Sequence, residues 1–87
     1  MKNKKFKMTK NVSWQFILDD FIIVDERDRK LYSMNNTSKE MFKCILEGCS
    51  EEDIIKKLSK QYNVDSSIIK RDFENFSSQM LEKGFIE

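Results

Sequence analysis

Within residues 31–48, LYSMNNTSKEMFKCILEG, the hydrophobic period changes from two to 3.6 across a hinge of a few polar residues. No other feature limits the fold so sharply, because a strand pattern cannot rest as helix, nor a helix pattern as strand. Upstream, residues 14–18 and 21–24 are short apolar runs rich in aromatic and β-branched side chains, separated by Asp19-Asp20. The polar stretch Asp25-Glu26-Arg27-Asp28-Arg29 then leads into residues 30–34. This spacing predicts three short antiparallel strands joined by tight turns. In the third, Leu31 and Ser33 face one way and Lys30, Tyr32 and Met34 the other, as suits a strand half-covered by helices.

Downstream of the hinge the pattern is helical. Thr37 followed by Glu40 forms a capping box: the hydroxyl satisfies an orphan N–H and the carboxylate reaches back. Met41, Phe42, Ile45 and Leu46 then share one face, and Gly48 offers the left-handed cap. Ser50 caps a second helix, with Glu51, Glu52 and Asp53 complementing its dipole. Its stripe is Ile54, Ile55, Leu58 and Tyr62, and Asn63 closes it. A third helix starts at Asp65, flanked by Val64 and Ile69 at staple positions. It carries Ile69, Phe73, Phe76 and Met80 at helical spacing and ends at Gly84. Three helices of roughly 10, 12 and 18 residues follow, the last two joined by a tight turn. The expected fold class is α+β: an N-terminal three-stranded antiparallel sheet followed by a three-helix, winged-helix-turn-helix-like unit.

A chain of 87 residues supports one domain with a modest core, too small for a large buried active site. Five lysines, Lys2, Lys4, Lys5, Lys7 and Lys10, fall in the first ten residues with no acid among them. The other 77 residues hold 11 basic and 15 acidic side chains, a balance of −4. Residues 1–11 therefore read as a flexible basic tail and residues 12–87 as the domain. No apolar run reaches the ~18 residues of a membrane span. The lysine-rich start lacks a signal-peptide cleavage pattern, so the expected location is the cytoplasm. Cys44 and Cys49 then read as reduced thiols packing near a helix end.

Catalysis would need a recognisable constellation. The chain has no His, no glycine-rich phosphate loop and no Ser beside a plausible base. Glu51-Glu52-Asp53 suits a helix dipole better than a metal. No catalytic residue, metal ligand or cofactor is expected, and the chain reads as a binding module.

Two binding modes remain open on the residues alone. In the first, the third helix enters the DNA major groove with Ser66, Ser67, Lys70, Arg71, Glu74, Asn75, Ser78, Gln79 and Glu82 outward. That set holds two bases and two acids, and the body is net acidic, which weighs against nucleic acid. In the second, an extended peptide adds to a free edge of the sheet, and a neighbouring helix supplies pockets for alternate side chains.

Several elements, taken in order, resemble the PqqD family, small domains also called RiPP recognition elements. They are Tyr32 with Met34-Asn35, Ile45-Leu46-Glu47-Gly48, Ile54 with Leu58 and Tyr62, and Asp72-Phe73 with Phe76, Met80, Gly84, Phe85 and Ile86. The resemblance runs from about Phe21 to Glu87. It departs at Met34, Cys49-Ser50 and Phe73, where the family favours Leu, a Thr-rich step and Val or Ile.

The resemblance implies an adaptor that binds the leader of a ribosomally made precursor peptide and presents it to a separate maturation enzyme, whether protease, radical SAM enzyme or cyclase. It implies strand addition along Lys30, Leu31, Tyr32, Ser33 and Met34, with a wall from the third helix. For that wall the candidates are Lys70, Phe73, Glu74 and Ser77. Tyr32 reads equally as a pocket wall or as cross-strand packing. Asp72 matches an acidic family position and reads as a residue ordering the groove or as a solvated acid.

Overall fold

A computed structural model describes residues 5–87, and the first four residues of the expected tail lie outside them. The order is β1 (Val12–Ile17), β2 (Asp20–Asp25), β3 (Lys30–Ser33), α1 (Asn36–Leu46), α2 (Glu51–Tyr62) and α3 (Ser66–Glu82). This is the α+β arrangement that the change of period calls for. The sheet is antiparallel in the order β1-β2-β3, with Trp14 opposite Ile23 and Ile23 opposite Tyr32. Among the described residues only β2 is paired on both sides, so β1 and β3 each keep one edge unpaired there.

One face of the sheet meets the helices. Phe21 and Ile23 from β2, Phe42 from α1, Ile54 and Leu58 from α2, Phe73 from α3 and Phe85 beyond it are all essentially inaccessible to water. Full burial of side chains this large stabilises the fold by roughly 1.5–3 kcal/mol each. The rings of Phe21 and Phe42 join the sheet to α1 with centroids 5.7 Å apart. In β3, Tyr32 and Met34 turn toward this core while Leu31 remains exposed, the alternation expected of a half-covered strand.

The helix ends follow their local chemistry. Ser50 Oγ accepts from the Asp53 N–H at 3.2 Å, and Asp65 Oδ2 accepts from the Ser67 N–H at 3.3 Å. Asn63 (φ 55°) closes α2 in the left-handed conformation. At α1 the expectation needs correction: the cap is Asn35, whose Oδ1 accepts from the Ser38 N–H at 2.8 Å, and Thr37 already lies inside the helix. Asn35 is extended (φ −70°, ψ 173°), so its short amide reaches the orphan donors two residues before the Thr37 hydroxyl could.

Residues 5–11 also correct the expectation of a free tail. Lys5 bridges to Ser50 and Met8 to Ile86. The Lys7 N–H donates to Glu87 O at 2.9 Å, and the Glu87 N–H returns a bond to Lys7 O at 2.8 Å. Phe6 packs on the core with its ring 5.9 Å from that of Phe73. The physical reason lies in alternation: in Lys5-Phe6-Lys7-Met8 the lysines stay in water while Phe6 and Met8 turn inward.

A buried acid secures the β2–β3 turn. Asp25 is 6% exposed and accepts from Arg27 at both carboxylate oxygens, each at 3.0 Å. Arg27 Nη2 also donates to Lys83 O at 2.6 Å, joining this turn to the end of α3. Gly84 (φ 76°) lies under the guanidinium, and a Cβ there would stand 3.2 Å from Arg27 Nη1. The left-handed conformation favours glycine here, and a Cβ would in addition press the guanidinium aside by a few tenths of an ångström.

Two consequences are measurable. Asn35→Ala should lower stability by about 1 kcal/mol, or roughly 4–8 °C in Tm, whereas Thr37→Ala should stay within about 0.5 kcal/mol, as read by thermal or urea unfolding. The Arg27 guanidinium holds the Asp25 carboxyl below its ordinary value of 3.8. A depressed carboxyl contributes stability above its unfolded pKa and loses it as pH falls through the lower folded value. Asp25→Asn should therefore be less stable at neutral pH and show a flatter loss of stability on acidification, measured by urea unfolding across the acid range.

Candidate functional site: a groove between a free strand edge and a helix

The free edge of β3 faces α3 across a hollow of about 220 Å³. Tyr32, Ser33 and Met34 contribute the strand side, and Phe76, Gln79, Met80 and Lys83 the helix side, with Phe85 below. It adjoins a second hollow of about 330 Å³ between the start of α1 and α3, lined by Asn35, Thr37, Ser38, Asp72, Asn75 and Gln79 among others. Asn35, Ser38, Phe76 and Gln79 line both, so the two form one groove along α3.

The elements set this geometry. Tyr32 packs edge-on against Phe85 with centroids 5.5 Å apart, and the Lys83 ammonium lies 5.3 Å from the Tyr32 ring centroid. Together with the Arg27 bond to Lys83 O, these contacts place the start of β3 beside the end of α3. At the other end, Asn35 caps α1 while facing Phe76 and Gln79. Strand and helix thus run in opposite directions. Phe76, Met80 and Phe85 give the floor an apolar, largely buried surface, whereas Asn75 and Gln79 add exposed amides along the rim.

Of the residues expected to form a peptide site, Tyr32, Ser33 and Met34 line the groove. Lys30 begins β3 on the same face as Tyr32, and Leu31, 64% exposed, turns to the opposite face of the sheet. On α3 the structure presents another flank. Phe73 is fully buried, and Ser77 is buried with its hydroxyl donating to Glu74 O. Lys70 and Glu74 are exposed but do not line the groove. Phe76, Gln79, Met80 and Lys83 occupy the wall instead: Phe76 and Met80 belong to the apolar stripe visible in the sequence, whereas nothing in its spacing marks Gln79 and Lys83. Asp72 faces the N-terminal turn of α1 rather than β3.

The opposite edge of the sheet differs in scale. There Trp14, Phe16 and Phe21 of the sheet and Leu46 of α1 line a hollow of about 180 Å³, with the Lys43 ammonium 6.0 Å from the Phe16 ring centroid. The hairpin tip beside it carries Leu18, 94% exposed and in the left-handed conformation (φ 58°).

The cysteines form a local cluster at the end of α1. Donor atoms of Cys44, Glu47 and Cys49 lie within 4.8 Å of one another, so Glu47 joins the pair visible in the sequence. The Lys57 ammonium stands 3.8 Å from Glu47 Oε1 and supplies a cation there. Both thiols are free, and burial pushes the Cys44 thiol up from its ordinary value.

Residues 20–86 match the family model of coenzyme PQQ synthesis protein D (PqqD), which is most of the chain. The chain belongs to the PqqD family. Among solved structures, this PqqD-family chain superimposes on TbiB1 in complex with the TbiA(beta) leader peptide with a TM-score of 0.86 at 20% identity, covering 93% of this chain and 94% of the other. It also superimposes on lasso peptide synthetase B1 complexed with the leader peptide, with a TM-score of 0.87 at 20% identity, covering 95% and 98%. The PqqD fold is thus shared along almost the whole of each chain. No curated protein sequence matches significantly.

The cluster at the end of this PqqD-family α1 yields a direct test. Iodoacetamide should modify the half-buried Cys49 well before the buried, high-pKa Cys44 in the folded protein, and both equally in denaturant, as followed by peptide mass spectrometry.

Proposed function

We propose that this protein is a leader-peptide-binding adaptor: it captures the leader of a ribosomally synthesised precursor by strand addition to β3 and presents the precursor to a separate modifying enzyme. The carrying observation is the edge of β3 that is unpaired among the described residues, held opposite α3 across an apolar-floored groove. An incoming extended segment satisfies its own backbone groups on that edge, and alternate side chains meet Tyr32 and Met34 on one side and Phe76 and Met80 on the other. Family membership supports this reading, as do the two structures of the same fold solved with leader peptides. The residues assigned to the peptide are Tyr32, Ser33, Met34, Phe76, Gln79, Met80 and Lys83.

The chemistry of modification belongs, on this reading, to the partner enzyme, a protease, radical SAM enzyme or cyclase. The adaptor raises the local concentration of precursor at that enzyme and contributes no reacting group. Its setting is the cytosol, where Cys44 and Cys49 stay reduced; no helix among the described residues is long and apolar enough to cross a membrane.

Calorimetric titration tests the proposal, using a synthetic leader from a short precursor encoded beside the gene and random duplex DNA as control. Saturable leader binding is expected at micromolar Kd or tighter, with none to DNA at physiological salt. Ser33→Pro should weaken leader binding at least tenfold, by disturbing the edge backbone, while circular dichroism shows the fold retained. Unchanged affinity in that folded variant would eliminate strand addition, and DNA binding without leader binding would return α3 to a groove-reading role.

A further inference from the structure

The groove carries charge at its two ends only. Among the described residues lining it, Asp72 and Lys83 are the sole ionic side chains, and no ion pair engages either. They stand eleven positions apart on one helix, or about 16 Å, the span of roughly five residues of extended peptide. Between them the floor is Phe76 and Met80 and the rim is Asn75 and Gln79. The groove therefore has a negative end, an apolar middle and a positive end.

The positive end is held in place. The Lys83 ammonium is held near the Tyr32 ring. Arg27 stands nearby but is neutralised by Asp25. Asp72 shares its hollow with uncharged side chains: Asn35, Thr37 and Ser38 across from it and Asn75 on its own helix.

Direction follows from the sheet. Both existing pairings are antiparallel, and a guest continuing that pattern on β3 runs opposite to it. Because β3 itself runs opposite to α3, the guest runs with α3, its N-terminal side near Asp72 and its C-terminal side near Lys83. We infer that the protein selects a leader segment of defined charge order, basic first, then alternating apolar anchors over Phe76 and Met80, then acidic. Asp72 and Lys83 act as specificity determinants that fix the register and direction of the guest. This inference rests on the strand-addition reading, and it names the peptide class which that reading leaves open.

The test uses the leader of the calorimetric titration in two forms of equal composition. One has Lys before the binding segment and Glu after it; the other has the two exchanged. Wild-type protein should bind the Lys-first form about tenfold more tightly at low salt, with the difference shrinking as salt rises. The double variant Asp72→Lys, Lys83→Glu should invert the preference, with circular dichroism confirming an unchanged fold. Equal binding of both forms by wild type, or an unchanged preference in the double variant, overturns the charge order and leaves strand addition standing. Failure of both forms to bind wild type removes the groove reading and this inference with it.

Discussion

The contact between Tyr32 and Phe85 governs the separation of β3 from α3, and the groove exists because that separation is fixed. An edge strand left to itself either frays or pairs with whatever edge it meets. Here an edge-on ring pair worth about 0.5–1.5 kcal/mol beyond its buried area pins the strand at one end. Phe85 can reach Tyr32 because Gly84 turns the backbone out of α3 in a conformation other residues adopt at a cost. The Arg27 bond to Lys83 O reinforces this corner from the β2–β3 turn. Three local features, an aromatic pair, a glycine and a buried acid with its arginine, thus act on one dimension of the site.

That arrangement suits capture of a flexible peptide. A disordered segment gives up conformational entropy when it binds, so further ordering of the receptor would subtract from affinity. The groove floor is drawn from side chains already buried in the core, Phe76, Met80 and Phe85, whose positions are settled before a guest arrives. The adaptable elements are confined to the rim, where Asn75, Gln79 and Lys83 are exposed. On the proposed reading, core and binding surface are therefore two sides of the same residues, and a domain this small can serve both needs.

Most of the fold is legible in the sequence because its signals are local. Ser50, Asn63 and Asp65 mark helix ends by chemistry that acts within one turn, and Trp14, Phe21 and Tyr32 mark strands by alternation. Asn35 escapes that reading because Thr37-x-x-Glu40 offers a second plausible cap two residues later. Half of the groove is equally legible: Tyr32, Ser33 and Met34 belong to the edge whichever helix faces them. The helix wall is not, because the stripe Ile69, Phe73, Phe76 and Met80 shows which face is buried but not which of its flanks turns toward the sheet. That choice depends on how α3 lies across the sheet, a tertiary property. It brings Gln79 and Lys83 to the groove and leaves Lys70 and Glu74 in water.

The pairing of residues 7–11 with residues 84–87 bears on how the two ends of the chain are joined. The Thr9 hydroxyl donates to Gly84 O across 75 positions of sequence, and the Thr9 N–H donates to Phe85 O. Loop closure over such a distance is slow until the intervening strands and helices have shortened it. The segment closes one of the longest loops of the described chain, and its bonds tie the two ends of the sequence to one another. Its partners are the residues immediately beneath the groove. Phe85 is held by its backbone to Thr9 and by its ring to Tyr32, so the N-terminal segment and the groove edge are joined mechanically through one residue.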